Sequence, residues 1–378
     1  MVMSLDRRRT GLATVGLAVS CCWVLGSADR GVGSGVSPYA NARFDRTAEI
    51  AAIEPDGKGG VFVGGRFSSA GGASVRNLVH LTAGGRVDRS WTPVVDGRVW
   101  ALKRSGKILY VGGQFSGVGR AARHNAAALS ALSGEVLPWN PGPNGLVRVV
   151  QPLDGKVFVG GDFRTTGTEL RATGNGILVD NSSGSVVAFS GMTGSLRAAV
   201  VLRDKVVVGG HFGTVTVGGE VNGLSVRHRE DLSPAEPTGL PNGLVSDLAV
   251  SGGNVIATGD LRDPGGNALG SARELNVDGS SVQFGKFDVH GRGVSAISVR
   301  GAIAYSAEFE LSVGRTVVVA RRLSDGRMIG RVLASVQPAV FALTAARPGV
   351  VCLGAQAIAF GNARTASSFG CVKTPVNS

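Results

Sequence analysis

Seven polar side chains recur along the chain at one place in a repeated pattern: Arg66, Gln114, Asp162, His211, Asp260, Glu308 and Gln356. Each follows a pair of small residues at the end of an apolar run. Carboxylates from different copies, brought about 5 to 10 Å apart, would be able to act as acid and base on a glycosidic bond. Metal chemistry is the other thing Asp162, His211, Asp260 and Glu308 could supply from four successive units, whereas His80, His124, His228 and His290 show no ligand spacing, and no metal is expected. A strand end also needs polar side chains simply to satisfy its own backbone groups. The variety of the seven favours contact with a ligand, because a purely structural place in a repeat tends toward one residue type. No cofactor-binding fingerprint accompanies them: a Gly-x-Ser-x-Gly elbow, a Walker loop and a dinucleotide motif are all missing from the sequence. Asp180 to Ser185 has the composition of a calcium loop without its Asp spacing or closing Glu, and reads as a hairpin turn.

The elements that must position these residues are short strands. Val61 to Phe67 contains Val-Gly-Gly-Arg-Phe, and the same Val-Gly-Gly-x-Phe returns with first glycines Gly112, Gly160 and Gly209, after steps of 48, 48 and 49 residues. Weaker copies follow at Thr258, Ser306 and Gly354, after steps of 49, 48 and 48, which makes seven units. Within the unit from Gly97 to Pro141, Val99 to Leu102 is a strand, Ser105-Gly106-Lys107 a turn and Ile108 to Phe115 a second strand. Asn125 to Leu132 supplies a third strand and Val136 to Trp139 a fourth. A single four-stranded meander cannot bury both of its faces, so successive units must stack. The expected fold is all-β: a seven-bladed β-propeller of four-stranded antiparallel blades. The last unit is one strand short, and Asn41 to Arg46 resembles the fourth-strand sequence Gly85 to Arg89. The ring is therefore expected to close by this N-terminal strand joining the three C-terminal ones. The diglycines are expected to permit close packing where blades crowd the axis.

Ahead of the repeats, Arg7-Arg8-Arg9, an apolar run from Leu12 to Leu25 and Gly26-Ser27-Ala28 have the layout of an export signal. The run is too short for a comfortable membrane span. The expected organisation is a signal peptide at 1–28, a linker at 29–40 and the propeller at 41–378, with no transmembrane segment in the mature chain and a secreted or cell-envelope location. Removing Asp6 and the three leader arginines from a formal net charge of +12 leaves +10. This charge suits anionic glycans, wall polymers or lipid headgroups. It is dispersed and not interleaved with aromatic residues, which argues against nucleic acid. Of four cysteines, Cys352 and Cys371 remain after the leader. They fall on neighbouring strands of the last unit and are expected to form a disulfide.

The run Asp-Gly-Lys followed by apolar residues and Val-Gly-Gly-x-Phe, with Arg76-Asn77-Leu78, Gly85 to Trp91 and Val99-x-Ala-Leu102, resembles the bacterial delta-sixty-type repeat, and its layout is similar to kelch blades. The resemblance spans about residues 41 to 376 and is specific in the first three units. It implies a kelch-like propeller in an exported bacterial protein and brings no catalytic residues. The expected function is a non-catalytic binding or scaffold module holding a protein, glycan or wall polymer at its mouth. The alternative is a glycan-active hydrolase or lyase that uses the acidic members of the polar set.

Overall fold

Apolar β-branched runs punctuated by Gly turns fold here as hairpins, and in the computed structural model every element among the described residues is a strand. The structure describes residue 39 and residues 42–373 apart from 165, 167–174, 217–218, 236, 291–292, 311–314, 348 and 361–366. The expected signal peptide lies outside the described residues, as does the linker except Tyr39. No helix among the described residues is long and apolar enough to cross a membrane.

The first unit pairs Glu49–Pro55, Val61–Arg66 and Leu78–Leu81, and the second pairs Arg98–Ser105, Ile108–Gln114 and Ala126–Ser130. The third and fifth units have four strands, as expected; the third ends in Val186–Phe189 and the fifth in Gln283–Val289. In the first two units the fourth place shrinks to single bridges, Leu81 to Val87 and Leu129 to Val136. The fourth unit departs likewise, with one bridge from Arg227 to Pro234, but in the first two units a tryptophan follows. Trp91 and Trp139 are buried, and their indole N–H groups donate to Ser130 O at 3.1 Å and Asp180 O at 3.0 Å. Each therefore leaves its own sheet to clip onto the next unit.

The sixth and seventh units merge. Met328–Arg347 is one strand of 20 residues that serves as the fourth strand of one unit and the first of the next, giving a six-stranded sheet. No Asn-Pro break like Asn140-Pro141 interrupts it. Pro338, which has no N–H to give, falls where the register shifts between Gln337 and Val340. In the last unit Cys352 lies directly opposite Cys371, and the two form the expected disulfide.

Sheets pack face to face through shared apolar clusters. Phe62 and Leu78 of the first unit meet Val99 and Leu109 of the second. The last unit packs against the first in the same manner: Val350, Cys352 and Phe369 share a cluster with Ile50, Val61 and Val79. Phe44 touches this seam, with its ring 5.6 Å from that of Phe369. Of the expected fourth strand at 41–46, the described part, 42–46, pairs differently, because Phe44 bridges Ala70 of the first unit, just as Val95 bridges Val118 and Pro143 bridges Thr166. The segment thus takes the place of a connector into a first strand.

Polar links also cross between units. Glu54 accepts from the Arg104 amide at 3.1 Å, Asp247 from the Ile297 amide at 2.9 Å, and Ser298 Oγ from the Ala345 amide at 3.1 Å. Burial pushes the Glu54 carboxyl above its ordinary pKa, against the attraction of Lys103. It pushes Asp247 up to about 6, opposed by the amides of Ile297 and Leu248 and by Lys103. An acid whose pKa rises on folding favours the folded state most below its unfolded value, and that contribution is lost as pH climbs through the folded value. We therefore expect melting temperature to fall between about pH 4 and 6 more steeply in the parent than in Asp247→Asn, as read by thermal melts across that range. A second expectation concerns the crosslink: chain entropy for a 19-residue separation gives a loss of about 3 kcal/mol in a Cys352→Ala/Cys371→Ala double variant, measured by urea unfolding under non-reducing conditions.

Candidate functional site

Every first strand holds one extra residue at the same register, opposite a slot that is the second glycine in the first five units and Glu308 and Ala355 in the last two. Val99 pairs with Gly113 and Ala101 with Gly112, so Trp100 is the bulged residue. By the same register Ala51, Arg148, Arg197, Ser246, Ser295 and Phe341 are the bulged residues of the other units. The bulge explains the diglycine. A Cβ on Gly113 would stand 2.2 Å from the Arg98 carbonyl oxygen, and one on Gly65 would stand 2.0 Å from that of Glu49. The first glycine answers to the neighbouring unit instead, where a Cβ on Gly64 would meet Val99 Cγ1 at 2.5 Å. The expectation of close packing therefore holds for the first glycine, while the second makes room for the bulge.

The residues singled out from the sequence lie at this same strand end. Arg66 pairs with Glu49, Gln114 with Arg98, Asp162 with Leu146, His211 with Ser195 and Asp260 with Leu244. The loops that follow are pinned by two recurring side chains. Asn77 and Asn125, at φ 64° and 61°, accept from the amides of Phe67 and Phe115 and donate to the carbonyls of Val95 and Pro143. Asp45 accepts from the Ser68 amide at 2.7 Å, and Asp96 from that of Ser116 at 2.9 Å. Burial acts to raise both carboxyls. The bonds from Ser68, Thr47 and Ser69 outweigh it at Asp45, and those from Ser116 and Gly117 at Asp96, so both sit below the ordinary range.

On this frame a continuous cluster spans the seventh, first, second and third units. Glu49 accepts from Arg66 at 2.8 Å and from Arg98 at 2.6 Å. The Arg98 guanidinium lies 3.6 Å from the centre of the Trp100 ring, and that of Arg148 lies 5.0 Å from it. Phe341 meets Trp100 edge-on with ring centres 6.5 Å apart, and Arg148 pairs with Asp162 at 2.9 Å. Burial lowers the pKa of Arg98; Glu49 opposes this, while the nearby guanidinium groups of Arg66 and Arg148 add to it. The Nε–H of Arg98 is buried with no acceptor.

The backbone architecture has counterparts among solved structures. The chain is similar to the WD40 β-propeller domain of Doa1, at 12% identity and a TM-score of 0.55, covering 89% of this chain and 97% of that one. It is likewise similar to the computationally designed Ika8 protein, at 14% identity and a TM-score of 0.54, covering 86% and 96%. The fold is a β-propeller. No family model and no curated protein matches the chain.

Arg66 and Asp162 join the Trp100 cluster of the propeller, whereas His211 and Asp260 line a separate open cavity of ≈ 700 Å³ with Thr193, Phe212, Asn242 and Leu244. Asp260 is paired with Arg262 at 3.3 Å. Gln114 is exposed at the end of Ile108–Gln114, and Gln356 is exposed inside the longer strand Val350–Phe360. Glu308 is placed differently from the sequence reading. Its strand pairs Val294 with Glu308 and Ala296 with Ala307, so Glu308 occupies the second-glycine slot and Phe309 the strand end. The Glu308 side chain is fully buried and held by Arg321 at 3.0 Å and Ser306 at 2.7 Å. Among the described residues no group of three His, Cys, Asp or Glu could hold a metal ion.

The sequence reading passed over Trp100, Phe341, Arg98 and Arg148. Trp100 is the variable residue inside Val99-x-Ala-Leu102, and tabulating that column across units would have exposed it. Because Glu49 holds two guanidinium groups from a buried position, Glu49→Ala is expected to cost about 2–3 kcal/mol by chemical denaturation; the more exposed Arg66 contributes the smaller part.

Proposed function

We propose that the chain is an exported, kelch-like propeller of seven blades that works as a non-catalytic binding scaffold, with a protein, glycan or wall polymer held at the mouth formed by the bulged strand ends. The observation that carries this reading is the cluster of Arg66, Arg98, Arg148, Trp100 and Phe341. Aromatic and arginine side chains gathered at one surface are the composition of a recognition site. The blade count is supported by the bulge recurring in seven hairpins among the described residues. It is supported too by Gly354, where a Cβ would meet Ile50 Cγ2 at 2.6 Å, the last unit crowding the first as Gly64 crowds Val99. The acidic members suit binding better than hydrolysis. Asp162 and Asp260 are each engaged by an arginine on separate sheets, and Glu308 is buried away from the strand end.

The test uses the mature chain from Asp29 on a glycan array and in capture from cell-envelope extract, beside Trp100→Ala and Phe341→Ala. A captured ligand lost by about tenfold or more in these variants supports the mouth. The hydrolase reading wins if the protein degrades a polysaccharide and Asp162→Ala with Asp260→Ala abolishes that activity.

A further inference from the structure

Within the mouth, charge and aromatic geometry narrow the ligand. Four guanidinium groups, Arg66, Arg98, Arg148 and Arg197, belong to adjoining units at the bulge level, and the carboxylates paired with them are Glu49 and Asp162 alone. Arg197 is the bulged residue of the fourth unit, exposed and without an acidic partner among the described residues. Beyond it the charges balance, since Asp260 is matched by Arg262. The mouth thus holds an excess of positive charge on the side where Trp100 and Phe341 lie.

The aromatic surface is of a particular kind. A sugar ring stacks its C–H face on an open aromatic face. Here the Trp100 face is occupied by Arg98 at 3.6 Å, and Phe341 stands edge-on to the indole with an interplanar angle of 77°. What remains is the exposed Phe341 side chain, 37% accessible, and the exposed guanidinium of Arg197 on the fourth unit. A guanidinium fork matches a carboxylate, and an exposed phenyl ring matches an apolar side chain.

We propose that the mouth receives an acidic protein segment in which carboxylate side chains flank an apolar one. The carboxylates pair with Arg197 and Arg148, and the apolar side chain rests on Phe341 and Trp100. The inference depends on the mouth being the binding surface.

The experiment is fluorescence polarisation with the full mature chain and four labelled probes: a Glu-rich peptide carrying one Phe, its Gln-for-Glu counterpart, an oligo-uronate and a single-stranded oligonucleotide. The acidic peptide should bind, its affinity falling about tenfold in Arg197→Glu and again when salt is raised to about 0.5 M. Arg197 is exposed, so circular dichroism and melting of that variant should match the parent, which separates lost binding from lost fold. Phe341→Ala should weaken the acidic peptide more than a peptide with Ala in place of Phe. Equal binding of the Gln peptide, or tighter binding of the uronate or the oligonucleotide, overturns the acidic-segment assignment and leaves the mouth in place. Failure of every probe, together with capture that is insensitive to Trp100→Ala, overturns both.

Discussion

One carbonyl oxygen in each of the first five units, pushed toward the neighbouring strand by an extra residue, sets the terms for everything around it. The second glycine is there because any Cβ would collide with that oxygen: about 2 Å separates them at Gly65, Gly113, Gly161 and Gly210. Unpaired in the ladder, the bulged residue is released from the alternation that packs its neighbours between sheets. Its side chain becomes available for contacts at the strand end. The first glycine makes the complementary concession, letting the next unit's first strand approach closely. A pair of residues with no side chains thereby fixes both how closely neighbouring units pack and where the bulged side chains emerge.

Much of this fold is legible in the sequence because the period is written in residues with steric tasks. Gly-Gly marks each second strand, Gly-Lys and Asp-Gly turns mark the hairpins, and the cysteines fall on facing positions. The cluster of Trp100, Arg98, Arg148 and Phe341 is less legible, since it forms across three units, one of them distant in sequence, and from places in the repeat that carry no common residue. Glu308 shows a different limit. Once the sixth unit loses its glycines, nothing in the local sequence distinguishes a step of 48 from one of 49. In a strand that single residue decides between the strand end and the interior.

The asparagine pins and tryptophan clips belong to the same economy. Asn77 and Asn125 tolerate the left-handed backbone at the head of the third strand and spend both ends of the amide, one on the loop and one on the entry to the next unit. In the fourth unit Gly223 adopts a positive φ of 95° at the register shift within the third strand, supplying the backbone freedom without the hydrogen bonds. Punctuation thins from there onward.

The long strand Met328–Arg347 gives that thinning a meaning. Where two units share one backbone, no clip is needed to hold them in step, and a disulfide ties the strands beyond it. The signature residues have lost their task in that stretch, so their drift records a transfer of constraint from side chain to main chain. Similarity judged by motif therefore counts fewer units here than similarity judged by backbone pairing.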